Sequence, residues 1–146
     1  MSELHVTLVH GPVVGCLMTA LLLFFALRWK DERLEKLCYV SFLLCAVFSG
    51  IAYFTGPVTY EFLQELEGFS SEMKARTEDH AVMGRTAFVG MVLLGLGALV
   101  SLLAYAQGQP PSKGLRWGIL VAAIFMSLLL AWTSHEGGLI RRLEYS

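Results

Sequence analysis

The chain has 146 residues, 55% of them hydrophobic and 16% charged, with a mean hydropathy of +0.60 and a formal net charge of −1. A soluble domain carries about 25% charged residues; here the shortfall falls in long uncharged runs, which excludes an ordinary soluble domain and predicts membrane spans. No basic patch is interleaved with aromatics, so nucleic acid is excluded as a partner.

Four spans are expected, at about 6–27, 37–55, 80–106 and 117–134, forming an all-α antiparallel bundle of transmembrane helices. The first is opened by Leu4-His5-Val6-Thr7-Leu8-Val9-His10-Gly11-Pro12 and closed by Arg28-Trp29-Lys30, an aromatic with two cations of the kind that anchors at an interface. A charged loop over residues 30–36 follows. The second span is expected to stop at Gly56-Pro57, a helix terminator. Residues 58–79 form the only sizeable polar segment. Phe62, Leu63 and Leu66 share one helical face there, which predicts a short amphipathic helix on the membrane surface, broken by Gly68. Ser70 or Ser71 is positioned to cap a further helix with Glu72 in its first turn. That helix is expected to run unbroken through His80 into the third span, whose apolar part begins near Ala87 and carries Gly90, Gly95 and Gly97 for close packing. Residues 107–114 read as a turn. The fourth span is expected to end at Ser134-His135-Glu136-Gly137-Gly138.

The three cysteines, Cys16, Cys38 and Cys45, all lie in apolar runs. With no CxxC and no CxxCH, covalent haem attachment is excluded, and the thiols read as small buried hydrophobes. Val13-Val14-Gly15-Cys16 faintly resembles a lipoprotein cleavage box, but Glu3 precedes it without any Lys or Arg. An uncleaved anchor is therefore the expectation.

Orientation follows from the basic residues. The two short loops carry Arg28, Lys30, Arg33, Lys36, Lys113 and Arg116; the other side carries Lys74, Arg76, Arg141 and Arg142, with Arg85 near the interface. By the positive-inside rule the short loops face the cytoplasm. The expectation is a multi-pass protein of the bacterial inner membrane with both termini and residues 58–79 in the periplasm.

The chain has four histidines, and four antiparallel spans bring all of them to one side. His5 and His10 open the first span, His80 begins the third and His135 closes the fourth. His10 and His135 abut the apolar runs; His5 lies about 7.5 Å above His10 along a helix. An upper pair (His5, His80) and a lower pair (His10, His135) are one arrangement; two ligands and two helpers are another. Neutral imidazole is a good axial ligand for haem iron, and facing helices of a four-helix bundle recurrently hold cofactors. Gly11, Gly15, Gly84, Gly137 and Gly138 would let a flat porphyrin approach the backbone. Arg85, Arg141 or Arg142 would neutralise its propionates. His-ligated zinc or copper remains open, although neither HxxxH nor HExxH occurs. Glu136 reads as a surface acid or as a partner of His135. Residues 58–79 hold six acids and two bases, a net −4, which reads as a solvated face or as a landing surface for a basic electron carrier. No catalytic triad, P-loop or GxGxxG is present, and the apolar runs hold essentially no charge, which argues against an ion path through the bilayer centre.

The opening Leu4-His5-x-x-x-Val9-His10-Gly11-Pro12 resembles the His-Pro-x-x-Val-His-Phe-Pro start of a group of small, uncharacterised bacterial four-helix membrane proteins. Thr55-Gly56-Pro57 resembles the end of their second span, His80-x-x-x-Gly84 the start of their third, and Ser134-His135-Glu136-Gly137-Gly138-Leu139-Ile140 their closing Gly-His-x-Gly-Gly-x-Leu-Val element. The likeness spans nearly the whole chain. It departs where His5 lacks a following Pro, where Gly11 replaces the aromatic, and where a later His is missing. The resemblance implies a haem-binding role.

The expected function is therefore a b-type cytochrome-like electron-transfer subunit of a larger redox complex, rather than a stand-alone enzyme. It would bind one haem b, or two, near the periplasmic face. His10, His80 and His135 are the first candidates as axial ligands, with His5 fourth. Other membrane subunits, a periplasmic electron carrier and quinone are the expected partners. The alternatives are a non-redox structural subunit and a zinc or copper site.

Overall fold

The computed structural model describes residues 2–65 and 70–144, and the side chains of all of these except 2–6, 59, 62, 63 and 141–144. Four helices account for nearly all of them: α1 (Ser2–Trp29), α2 (Glu32–Gln64), α3 (Ser71–Ala106) and α4 (Lys113–Glu144). Each contains a stretch long and apolar enough to cross a bilayer, for which about 20 residues suffice. Consecutive helices run antiparallel and α4 closes back onto α1, giving a four-membered ring in which the diagonal backbones, α1–α3 and α2–α4, stay apart.

The packing repeat is seven residues. Cys16 and Leu23 on α1, Cys38 and Cys45 on α2, Met91 and Ala98 on α3, and Ala123 and Leu130 on α4 all face one core. That spacing keeps one seam of each helix inward, as in left-handed bundles. Polarity is reversed relative to a soluble bundle. Leu128 is 68% exposed and Leu93 64%, whereas Cys38 and Ser101 are fully buried. An outer surface of this kind is stable only against lipid, so the fold is that of a multi-pass membrane protein. The inner hydroxyls satisfy themselves against their own helices: Ser127 Oγ donates to Ala123 O (2.8 Å) and Ser101 Oγ to Gly97 O (2.9 Å).

Glycines set three of the four interfaces. A Cβ on Gly15 would lie 2.9 Å from Cys45 Sγ, one on Gly95 would lie 3.0 Å from the Cβ of Ala46, and one on Gly90 would collide with Met126 Sδ. Small residues allow such approach, and in lipid close packing is the main force joining helices. Met126 can rotate away; the Cβ of Ala46 cannot. Gly95→Ala should therefore cost about 1–3 kcal/mol by overpacking. Gly118→Ala, where nothing lies within 4 Å, should cost no packing energy. Thermal unfolding in detergent will separate the two.

Helix ends differ from expectation in an informative way. The break between α1 and α2 is only Lys30, in the left-handed region at φ 58°, and Asp31. Asp31 Oδ1 accepts from the backbone N–H groups of Arg33 and Leu34 at 3.0 and 3.1 Å. This N-cap starts α2 at Glu32, so most of the expected loop is helix. Pro57 does not stop α2. Residues 58–64 are helical, but as a continuation of α2 and not as a separate helix. A proline is tolerated where nearby hydroxyls take up part of the backbone bonding, and Thr55 Oγ1 donates to Ala52 O at 2.9 Å. The expected break at Gly68 and the side chains of Phe62, Leu63 and Leu66 lie outside the described residues. Ser70 caps α3 as anticipated, its Oγ accepting from Met73 N at 3.1 Å, and α3 runs unbroken through His80. Gly137-Gly138 does not end α4, which continues to Glu144; Gly137 is there for a side chain of α3.

Candidate functional site: the histidine-bearing end

Antiparallel packing puts the start of α1, the end of α2, the start of α3 and the end of α4 at one end of the bundle. All four histidines belong to that end. The register between α3 and α4 refines this. Gly97 meets Ile119, Gly90 meets Met126 and Gly137 meets His80, so 17 residues along α3 match 18 along α4. His80 and His135 therefore occupy nearly one level. On α1, Cys16 Sγ sits between Ala123 O (3.6 Å) and Ser127 Oγ (3.5 Å) of α4. Eleven residues toward the N-terminus bring His5 level with about position 136, and His10 falls roughly 7.5 Å deeper. Measured along α4, then, His135 joins the upper layer with His5 and His80, leaving His10 below. The pairing of His135 with His10 assumed that α4 ended at the histidine.

The level of His80 is far from the opposite end of the bundle. His80 is 25 residues from Tyr105 near the other end of α3, about 38 Å of helix, against a hydrocarbon core about 30 Å thick. The helix from Tyr105 to His80 is thus longer than that core is thick.

The rings are placed differently. His80 is half-buried, with its ring on Gly137: a Cβ there would sit 3.0 Å from Cε1 and 3.6 Å from each ring nitrogen. One turn deeper, Gly84 has no atom within 4 Å of its Cβ position, nor has Gly138 across the interface. The ring therefore lies on the α4 backbone at Gly137. His10 and His135 are exposed on the outer surface, the latter with its ring 6.3 Å from that of Trp132. His5 lies in α1, but its side chain is outside the described residues, as are those of Arg141 and Arg142. Arg85 is exposed and Glu136 half-buried. Among the described residues no three His, Cys, Asp or Glu side chains come close enough together to hold a metal ion. The structure thus brings the helix positions of all four histidines to one end of the bundle.

A second polar cluster, absent from the sequence reading, occupies the opposite end. Glu35 on α2 is 1% exposed. Tyr39 Oη donates to its Oε1 at 2.6 Å, and Arg116 Nε of α4 lies 3.3 Å from the same oxygen. Arg116 Nε also donates to Pro111 O at 2.9 Å. The Tyr105 ring of α3 packs beside them, with Lys36 Nζ 4.6 Å and the Arg116 guanidinium 5.6 Å from its centroid. Reading residues 30–36 as a loop hid Glu35; the four-residue spacing from Glu35 to Tyr39 was the available signal.

Fold and site together define a small four-helix membrane protein with a histidine-bearing end and a closed, ion-paired end. Compared with protein-family profiles, curated proteins and solved structures, the chain matches none.

Proposed function

We propose that the protein is a membrane-embedded b-type cytochrome-like subunit that binds haem b at its histidine-bearing end and passes electrons there. The observation that carries this reading is His80, an imidazole lying against a glycine of the neighbouring helix with open space one turn deeper. His80 would be a ligand to the iron, since imidazole binds it strongly, and Gly84 and Gly138, whose Cβ positions meet no atom within 4 Å, would leave room for a flat macrocycle. His5, His10 and His135, borne by α1 and α4 at the same end, would be the candidates for a second iron ligand. Arg85, Arg141 and Arg142 are within the same stretch of chain as propionate partners. When bound, the haem supplies one-electron chemistry through its iron; the chain supplies the ligand, its orientation and partial exclusion of water.

The short-loop end would face the cytoplasm, by its excess of Lys and Arg, and the haem would lie near the periplasmic face of the inner membrane. Exposed acids at Glu61, Glu65, Glu72, Glu78 and Asp79 on that side suit a basic electron carrier. Association with other membrane subunits is supported by an outward strip on α4, where Gly114, Gly118 and Ala122 are exposed at four-residue spacing.

Haem-to-protein stoichiometry, measured by pyridine haemochrome on protein expressed with ample haem, tests the reading. It is expected to give a whole number of haems b per chain, with zinc and copper absent. A haem-free protein carrying stoichiometric zinc or copper would replace it with the metal-site reading, and a protein with neither would leave the structural-subunit reading.

A further inference from the structure

The ion-paired end poses a separate question. Backbones of α2 and α4 lie across a diagonal and stay apart, yet a carboxylate of one and a guanidinium of the other meet between them. Burying two charges is expensive, and a fully buried pair is weak evidence for stability alone. The arrangement is layered. Tyr39 lies deepest, the Glu35 carboxylate sits above it at 1% exposure, and the Arg116 side chain, 22% exposed, covers the carboxylate. Through Pro111 O the same arginine also holds the turn joining α3 to α4, while Lys36 and Tyr105 close the flank on α2 and α3.

We propose that the Glu35–Arg116 pair is a latch that shuts the short-loop end of the bundle, and that releasing it admits water from that face as far as Cys38. Nothing in this depends on haem. The pair joins α2 and α4 where their backbones do not meet; without it α4 stays packed on α1 and α3, and only its first turns, beside the turn that Arg116 otherwise holds, are loosened. Cys38 is one turn beyond Glu35 and fully buried. Cys45 is seven residues further along α2, about 10 Å deeper, and Cys16 packs near that depth, where Gly15 meets Cys45. The protein thus carries its own depth gauge of thiols.

The test is labelling of the full chain, reconstituted in vesicles, with a charged, membrane-impermeant methanethiosulfonate. Each cysteine is read by mass spectrometry. Wild type is expected to resist labelling at all three. Arg116→Gln is expected to raise the Cys38 rate by on the order of a hundredfold, through a larger open population, with Cys45 and Cys16 unchanged. Tyr39→Phe, which leaves the ion pair in place but removes the hydrogen bond beneath it, is expected to give a smaller rise at Cys38 alone. Arg33→Gln, which removes an exposed charge from the same end, is expected to change nothing. An unchanged Cys38 rate in both Arg116→Gln and Tyr39→Phe overturns the latch. So does a wild type already labelled at Cys38, an Arg33→Gln as reactive as Arg116→Gln, or labelling that reaches all three cysteines together.

Discussion

Replacing Arg116 with leucine will destabilise the bundle by about 3–5 kcal/mol, the usual cost of leaving one partner of a buried ion pair uncompensated. Glu35 makes the cost large. Its side chain is 1% exposed, and its one described cationic partner within ion-pair distance is Arg116. Tyr39 would still donate to it, but a single neutral donor does not replace a guanidinium. Replacing both residues, Glu35→Leu with Arg116→Leu, is expected to be much milder, and neutral or stabilising by about 1–4 kcal/mol, because no buried charge then remains. Thermal midpoints of the two single variants and the double variant, in one detergent, form a double-mutant cycle. Additive single effects would mean that the two side chains do not interact.

The second large effect concerns the proposed haem and not the fold. His80→Ala is expected to abolish haem binding while leaving helix content close to wild type, since the residue is half-buried and is not part of the apolar core cluster. Gly137→Val should act almost as strongly from the neighbouring helix. Its Cβ alone would stand 3.0 Å from His80 Cε1, and the two added methyl groups would drive the ring off its seat. His135→Ala and His10→Ala test which residue would supply a second iron ligand: the variant that loses it is expected to change the haem spectrum, and the other to leave it unchanged. An unaltered spectrum in both would leave His5 as that ligand.

Much of this architecture was legible because lipid demands so little of a sequence beyond length and apolarity. The number of spans, their order, the Ser70 cap and the continuity of α3 through His80 all follow from apolar runs and one capping residue. Two of the misread features share one cause. Gly56-Pro57 and Gly137-Gly138 are stop signals for helices in water. In this bundle α2 passes through Pro57 with Thr55 bonding to Ala52 O, and the glycine pair of α4 continues as helix because Gly137 receives His80. Residues 30–36 looked like a loop because they are charged, although a single aspartate suffices to start a helix there. That misreading concealed Glu35. Which way each imidazole turns was not legible either. A helix that is apolar all round presents no preferred face to a periodicity argument; only the folded structure shows that His80 lies against Gly137 while His10 and His135 are exposed.

The most direct measurement is a dithionite-reduced minus oxidised absorption spectrum of the purified, haem-replete protein. A Soret band that shifts on reduction, with a sharp α band lost in His80→Ala, is the predicted result. Absence of Soret absorption, after both haem-replete expression and titration with added haemin, would contradict it.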